Sequence, residues 1–186
     1  MHGQVKPLFG KQELENYNPE ERQAMLAGHF GTQAAEVMAA MEKAYPGIDP
    51  MYAPLIDTGL RGLCLDYARA RAQAADAPVF NYLVTYMVPF MEGKLAWHGT
   101  DIPMIFGTAD RSEVLMCAGE EALHLSRDMM NAWVQFACTG DPSTEDLRWP
   151  SYTESHPDTM LFETHSHYAE KHDAELLDIL NAAKNR

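Results

Sequence analysis

An α/β class, rich in helix and short of strand, follows from three features of this sequence. Long stretches repeat apolar residues at helical spacing. One short stretch, 79–86, is dense in β-branched and aromatic residues and is apolar on both faces, as in a strand buried inside a sheet. Residues 159–162 form the one plausible neighbour for it. Two recognisable strands amid several helices make an unbalanced inventory. A strand without flanking neighbours leaves its backbone donors and acceptors unpaired. The remainder of the sheet is therefore expected from polypeptide outside this chain.

In order along the chain, residues 1–18 mix glycine, proline and polar residues without a period and are expected to be irregular. Residues 19–186 are expected to form a single domain or part of one. Asn18-Pro19-Glu20-Glu21 is a helix start: asparagine caps, proline suits the first turn, and the glutamates face the positive end of the dipole. That helix runs to Phe30, and Gly31-Thr32 punctuates it. A second, alanine-rich helix spans Ala34 to Tyr45 and stops at Pro46-Gly47. Asp57 to Ala75 is the third, with Leu60, Leu63, Cys64, Tyr67 and Ala68 as its apolar stripe. The strand 79–86 leads into a loop over 87–99. Glu120 to Cys138 is the strongest helix, with Leu123, Met130, Trp133, Val134 and Ala137 predicted to face inward before Thr139-Gly140 ends it. The strand 159–162 and an amphipathic tail helix over Asp173 to Ala183 close the chain.

Composition narrows the function classes. The 186 residues carry 27 acidic against 14 basic side chains, a formal net charge of −13. Such a chain repels phosphate backbones and anionic bilayers, so neither nucleic acid nor a membrane surface is an expected partner. No run approaches the ~18 apolar residues of a membrane span. The N-terminus MHGQVKPLFGKQ has no apolar signal core. Cys64, Cys117 and Cys138 lack metal or redox spacing and read as free thiols in a reducing, cytoplasmic setting.

The most informative stretch is Trp97-His98-Gly99-Thr100-Asp101-Ile102-Pro103-Met104-Ile105-Phe106-Gly107. An imidazole titrates near neutrality, so it can take a proton from a hydroxyl nucleophile and return it to a leaving alcohol. Set on a loop beyond a strand, it can reach a nucleophile carried by another strand. From the segment alone His98 has two readings, a surface-loop histidine and a general base. Other groups carry weaker signals. His165, His167, His172 and Asp173 could supply a zinc site only with a rigid support that the segment lacks, so no metal or cofactor is expected. Ser126, Cys117 and Cys138 are conceivable nucleophiles without a visible base.

The 97–107 segment resembles the histidine loop of type-B carboxylesterases, which reads roughly H-x-x-[DE]-[LI]-P-[FYM]-[VI]-F-G. The resemblance continues over most of 19–183. Arg61 resembles the family's arginine-bearing helix, and Pro78-Val79-Phe80-Asn81-Tyr82 the strand that leads to the histidine loop. Asn131 to Pro142 is similar to W-x-x-F-A-x-T-G-x-P, Trp149-Pro150-Ser151-Tyr152 to W-P-x-Y, and 159–162 to the last strand. These motifs imply the C-terminal portion of an α/β-hydrolase fold, with a triad in the order serine, acid, histidine. The resemblance makes His98 the triad-type histidine and candidate general base, and Asp101 a structural residue that holds the loop through backbone amides. The sequence contains no G-x-S-x-G, and neither Glu13 nor Glu15 carries the flanking motif of the family's acid. The resemblance implies hydrolysis of small carboxylic esters once an N-terminal half supplies serine, acid and oxyanion loop. The loop at 87–97 is expected to line part of the pocket. A non-catalytic module that binds or self-associates, as a homo-oligomer, is the alternative.

Overall fold

The computed structural model describes residues 16–56, 58–74, 77–88, 96, 99–112 and 119–184. Most of the N-terminal stretch expected to be irregular, residues 1–15, lies outside them. The chain divides into two compact units, Met1–Gly62 with Asp173–Arg186, and Leu63–His172.

The first unit is helical. Helix α1, Pro19–Phe30, begins at a capping box: the Asn18 side chain accepts from the amides of Glu20 and Glu21, and the Glu21 carboxylate accepts from the Asn18 amide. Gly31, at φ +58°, ends it through a conformation open to glycine at little cost. A 3₁₀ turn, Gly31–Gln33, leads into α2, Ala34–Ala44, whose Val37, Ala40, Met41 and Ala44 are buried. A second 3₁₀ segment, Pro50–Leu55, is capped by Asp49 and buries Met51, Tyr52 and Ala53. Arg22 pairs with that same Asp49. Helix α3, Thr58–Ala74, starts among these residues. The tail helix α6, Ala174–Lys184, packs on α2 and buries Leu176, Leu177 and Leu180. Asp173, just before it, takes a bidentate pair from Arg61 and a 2.9 Å hydrogen bond from the Tyr45 hydroxyl.

The second unit holds a three-stranded mixed sheet. Strand β1, Tyr82–Val84, runs parallel to β2, Asp158–Phe162, with Tyr82 opposite Met160 and Val84 opposite Phe162. Strand β3, His167–Glu170, runs antiparallel on the far side of β2. The pairing expected between 79–86 and 159–162 is present, and it extends past β1. Val79 O accepts from Tyr152 N, Asn81 O from Met160 N, and Phe162 O from the amides of Thr85 and Tyr86. The chain includes a short helix α4, Asp101–Ile105, a 3₁₀ turn, Ala109–Arg111, and the long α5, Gly119–Thr139. Core residues include Val88, Met104, Leu125, Met129, Met160 and Phe162. Trp149 is buried among them and donates its indole N–H to Asn81 O.

Three expectations change. The third strand, β3, is mostly exposed and its sequence His-Tyr-Ala-Glu carries no hydrophobic alternation; its pairing with β2 across the turn at 163–166 makes it a strand. The buried face of α5 is Ala122, Leu125, Ser126, Met129 and Ala132, displaced from the expected stripe, while Val134 is exposed. Ala122 and Ala132 are fully buried there, and Ser126 enters the core because its hydroxyl donates to Met104 O at 2.8 Å. On α3, Leu60, Leu63, Cys64 and Tyr67 are exposed and only Ala68 of the expected stripe is buried.

Candidate active site

His98 lies outside the described residues, as do Cys117 and the 89–95 part of the loop expected to line a pocket. Val88, the last described residue before that part, is fully buried in the core, so it packs rather than lines a pocket. The chain directly following His98 is described, and its construction is clear. Gly99 sits at φ +83° and its carbonyl accepts from Ile102 N. Thr100 is buried, and Asp101 opens α4. Pro103 stands near the start of this short helix, where its missing N–H is no loss.

Two contacts fasten α4. At its first residue, Asp101 Oδ2 accepts from the Tyr82 hydroxyl at 2.8 Å. Near its end, Met104 O accepts from Ser126 of α5. Gly107 closes the segment at φ +63°, and a Cβ there would stand 2.9 Å from Met130 Sδ, so the motif's final glycine answers both backbone and space. Asp101 Oδ2 meets a phenol on β1, where the resemblance implies backbone amides.

Tyr82 belongs to an aromatic cluster with Trp133, Trp149 and Phe162. Its ring stands edge-on to Trp133 at 5.0 Å between centroids and 86° between planes. Burial, then the hydrogen bond and charge of Asp101, push the Tyr82 phenol well above its usual range, with a smaller push from Cys64. It is therefore a protonated donor at any physiological pH. Sequence reading overlooked Tyr82 because the strand was judged by apolarity, where tyrosine counts by its ring and its hydroxyl is ignored.

The weaker candidates separate. Ser126 is buried and its hydroxyl is committed to Met104 O, which makes it a structural residue. Cys64 and Cys138 are exposed thiols. Both Asp173 oxygens serve Arg61, and one also serves Tyr45, so this carboxylate is already engaged as an ion-pair partner. His167 lies beside Glu163 and the His165 carbonyl. Among the described residues no three His, Cys, Asp or Glu side chains converge as a metal site.

Comparison with known proteins agrees with this architecture. Residues 62–179 match the family model described as the carboxylesterase family. The para-nitrobenzyl esterase of Bacillus subtilis (strain 168) is 34% identical over 99 residues, covering 52% of this chain and 20% of its own length. Carboxylesterase 5A of Felis catus is 44% identical over 62 residues, 31% of this chain and 11% of the relative. Among solved structures, an esterase from Clostridium hathewayi, one that can hydrolyse aliphatic aromatic polyesters, superposes with a TM-score of 0.84 at 30% identity. It covers 91% of this chain and 34% of that one. A solved para-nitrobenzyl esterase superposes at 0.59 with 26% identity, covering 88% and 33%. The chain thus spans about a third of these solved esterases and a fifth or less of the curated relatives named here. It belongs to the carboxylesterase family.

Proposed function

We propose that this chain is the histidine-bearing portion of a serine carboxylesterase that hydrolyses small carboxylic esters. His98 is its general base. The observation that carries the reading is the family match over 62–179, which contains the whole 97–107 segment. In the proposed reaction His98 takes the proton of a serine hydroxyl as that oxygen attacks the ester carbonyl, then returns it to the departing alcohol. The serine, the acid that orients the imidazole and the oxyanion donors come from polypeptide corresponding to the larger remainder of the solved esterases. Protein groups alone carry this chemistry. The exposed thiols of Cys64 and Cys138 suit a reducing compartment such as the cytoplasm.

The test pairs the chain with a polypeptide carrying serine elbow, acid and oxyanion loop, and follows hydrolysis of a short p-nitrophenyl ester. The pair turns over, and His98→Ala reduces the rate by at least about a thousandfold. Undiminished turnover in that variant refutes the assignment of His98.

A second reading, a non-catalytic module that self-associates, is favoured by the exposure of Leu60, Leu63, Tyr67, Ile102 and Phe106. A concentration-dependent sedimentation coefficient for the isolated chain, abolished by Leu63→Asp with Tyr67→Asp, distinguishes it.

A further inference from the structure

We propose that a cleft beside the start of β1 is a binding site for a small aromatic carboxylate, with Arg148 taking the carboxylate and Phe80 taking the ring. The cleft lies within the second unit and is lined by described residues. It does not depend on ester hydrolysis by this chain.

The cleft encloses about 540 Å³, a size suited to a small molecule. Its lining comes from stretches distant in sequence. Pro78 and Phe80 lie on the chain that enters β1. Arg148 to Ser151 run alongside them, and the next residue, Tyr152, donates its amide to Val79 O. The end of α5 and the turn after it add Thr139 and Asp141.

The apolar part of this lining is already ordered. Phe80 stands edge-on to Phe136 at 5.8 Å between centroids and to Trp149 at 6.3 Å. Trp149 is buried and held by its indole N–H on Asn81 O. Phe80 itself is only partly buried. A ring that packs on such a wall immobilises little on the protein side, so most of its burial counts toward binding.

The polar part is mostly committed. The Thr139 hydroxyl donates to Gln135 O and the Ser143 hydroxyl to Trp149 O. Asp141 Oδ1 accepts from the Ser143 amide at 2.8 Å. Arg148 is the exception. Its guanidinium stands over the Tyr168 ring, 5.7 Å from the centroid. No carboxylate pairs with it among the described residues, in a chain that carries 27 acidic side chains. A guanidinium held by its face keeps its N–H fork for a planar, bidentate partner, and a carboxylate matches that fork. The Ser151 hydroxyl, also without a partner among the described residues, supplies a further donor. Asp141 adds a negative charge to the same lining, which disfavours a multiply charged anion such as phosphate. A monoanion with an aromatic body meets all of these conditions.

The test titrates the full chain with sodium benzoate, sodium acetate, benzyl alcohol and inorganic phosphate in turn, followed by ¹H–¹⁵N NMR. Benzoate should shift the Trp149 indole signal and the Gly140 and Ser151 amides saturably, with half-saturation at about 1 mM, an ordinary affinity for so small a ligand. Acetate lacks the ring and benzyl alcohol the charge, so each should bind at least about tenfold more weakly. Phosphate should leave these signals in place. Arg148→Gln is a neutral change at an exposed position, and the same spectra report its folding. It should raise the half-saturation for benzoate about tenfold and leave that for benzyl alcohol unchanged. Benzoate that fails to saturate these signals, or that saturates only signals outside the cleft, overturns the site. Equal half-saturation for benzoate and benzyl alcohol, or for benzoate with wild type and Arg148→Gln, overturns the role of Arg148. Acetate or phosphate binding as tightly as benzoate overturns the aromatic class.

Discussion

Arg61 and Asp173, far apart in sequence, meet in a bidentate ion pair in which the side chains retain only 10% and 2% of their exposure. The pair joins the start of α3 to the residue preceding α6. Burying two charges is costly, and removing one partner strands the other. Arg61→Ala is therefore expected to destabilise the fold by about 3 kcal/mol, and Asp173→Asn by a similar order. Urea unfolding followed by circular dichroism measures both; a loss below about 1 kcal/mol, the range of exposed pairs, contradicts the reading.

Tyr45 makes this region alkali-sensitive. Burial, followed by the Asp173 carboxylate, raises its phenol above the ordinary tyrosine range, while Arg61 opposes in part. The unfolded chain releases that proton first as pH climbs past about 10, so the unfolded state then binds fewer protons and stability falls. The contribution of Tyr45 is fully present below that pH and is lost above it. Tyr45→Phe is expected to flatten the alkaline slope of unfolding free energy by up to about 1.4 kcal/mol per pH unit. An identical slope in wild type and variant contradicts this.

Tyr86 predicts the opposite kind of result. Its hydroxyl is buried and makes no hydrogen bond among the described residues. Removing a buried polar atom of that kind relieves a desolvation cost. Tyr86→Phe should be neutral or raise stability by up to about 1 kcal/mol on that ground. Calorimetry showing a loss beyond about 1 kcal/mol would mean that the hydroxyl has a partner.

Gly107 is the last residue of the histidine segment. With φ at +63° and Met130 Sδ 2.9 Å from any added Cβ, Gly107→Ala should cost roughly 1–2 kcal/mol. The methionine end can yield, so backbone strain carries most of the loss. A melting temperature unchanged by the substitution would refute the strain argument.

Ser126 separates structure from chemistry. Ser126→Ala removes a bond to Met104 O and should lower stability by about 1 kcal/mol, with ester hydrolysis in the completed enzyme unchanged. Abolished hydrolysis in a folded variant would reinstate Ser126 as a nucleophile.

Much of this fold was legible in the sequence where local chemistry decides it. The Asn18 capping box, the stop at Pro46-Gly47 and the strand character within 79–86 and 159–162 follow from residue type at short range. What was not legible depends on distant neighbours. Strand β3 exists through β2, and the buried face of α5 is set by the elements that pack on it, not by its own apolar stripe. The stripe on α3 was read correctly as apolar, yet Leu60, Leu63 and Tyr67 stay exposed, because periodicity reports what a helix could bury and says nothing of what covers it. At the proposed site, His98 lies outside the described residues, and the bond from Tyr82 to Asp101 joins a strand to a helix nineteen positions on, which no spacing rule announces.

Hydrolysis of p-nitrophenyl acetate by the purified, mass-verified chain, beside His98→Ala, is the decisive observation. On the proposed reading the chain carries the triad histidine without nucleophile or oxyanion donors, so both proteins should match the buffer rate. Turnover by the wild-type chain that disappears in His98→Ala would mean that a nucleophile resides within these 186 residues, and that the incomplete-triad reading is wrong.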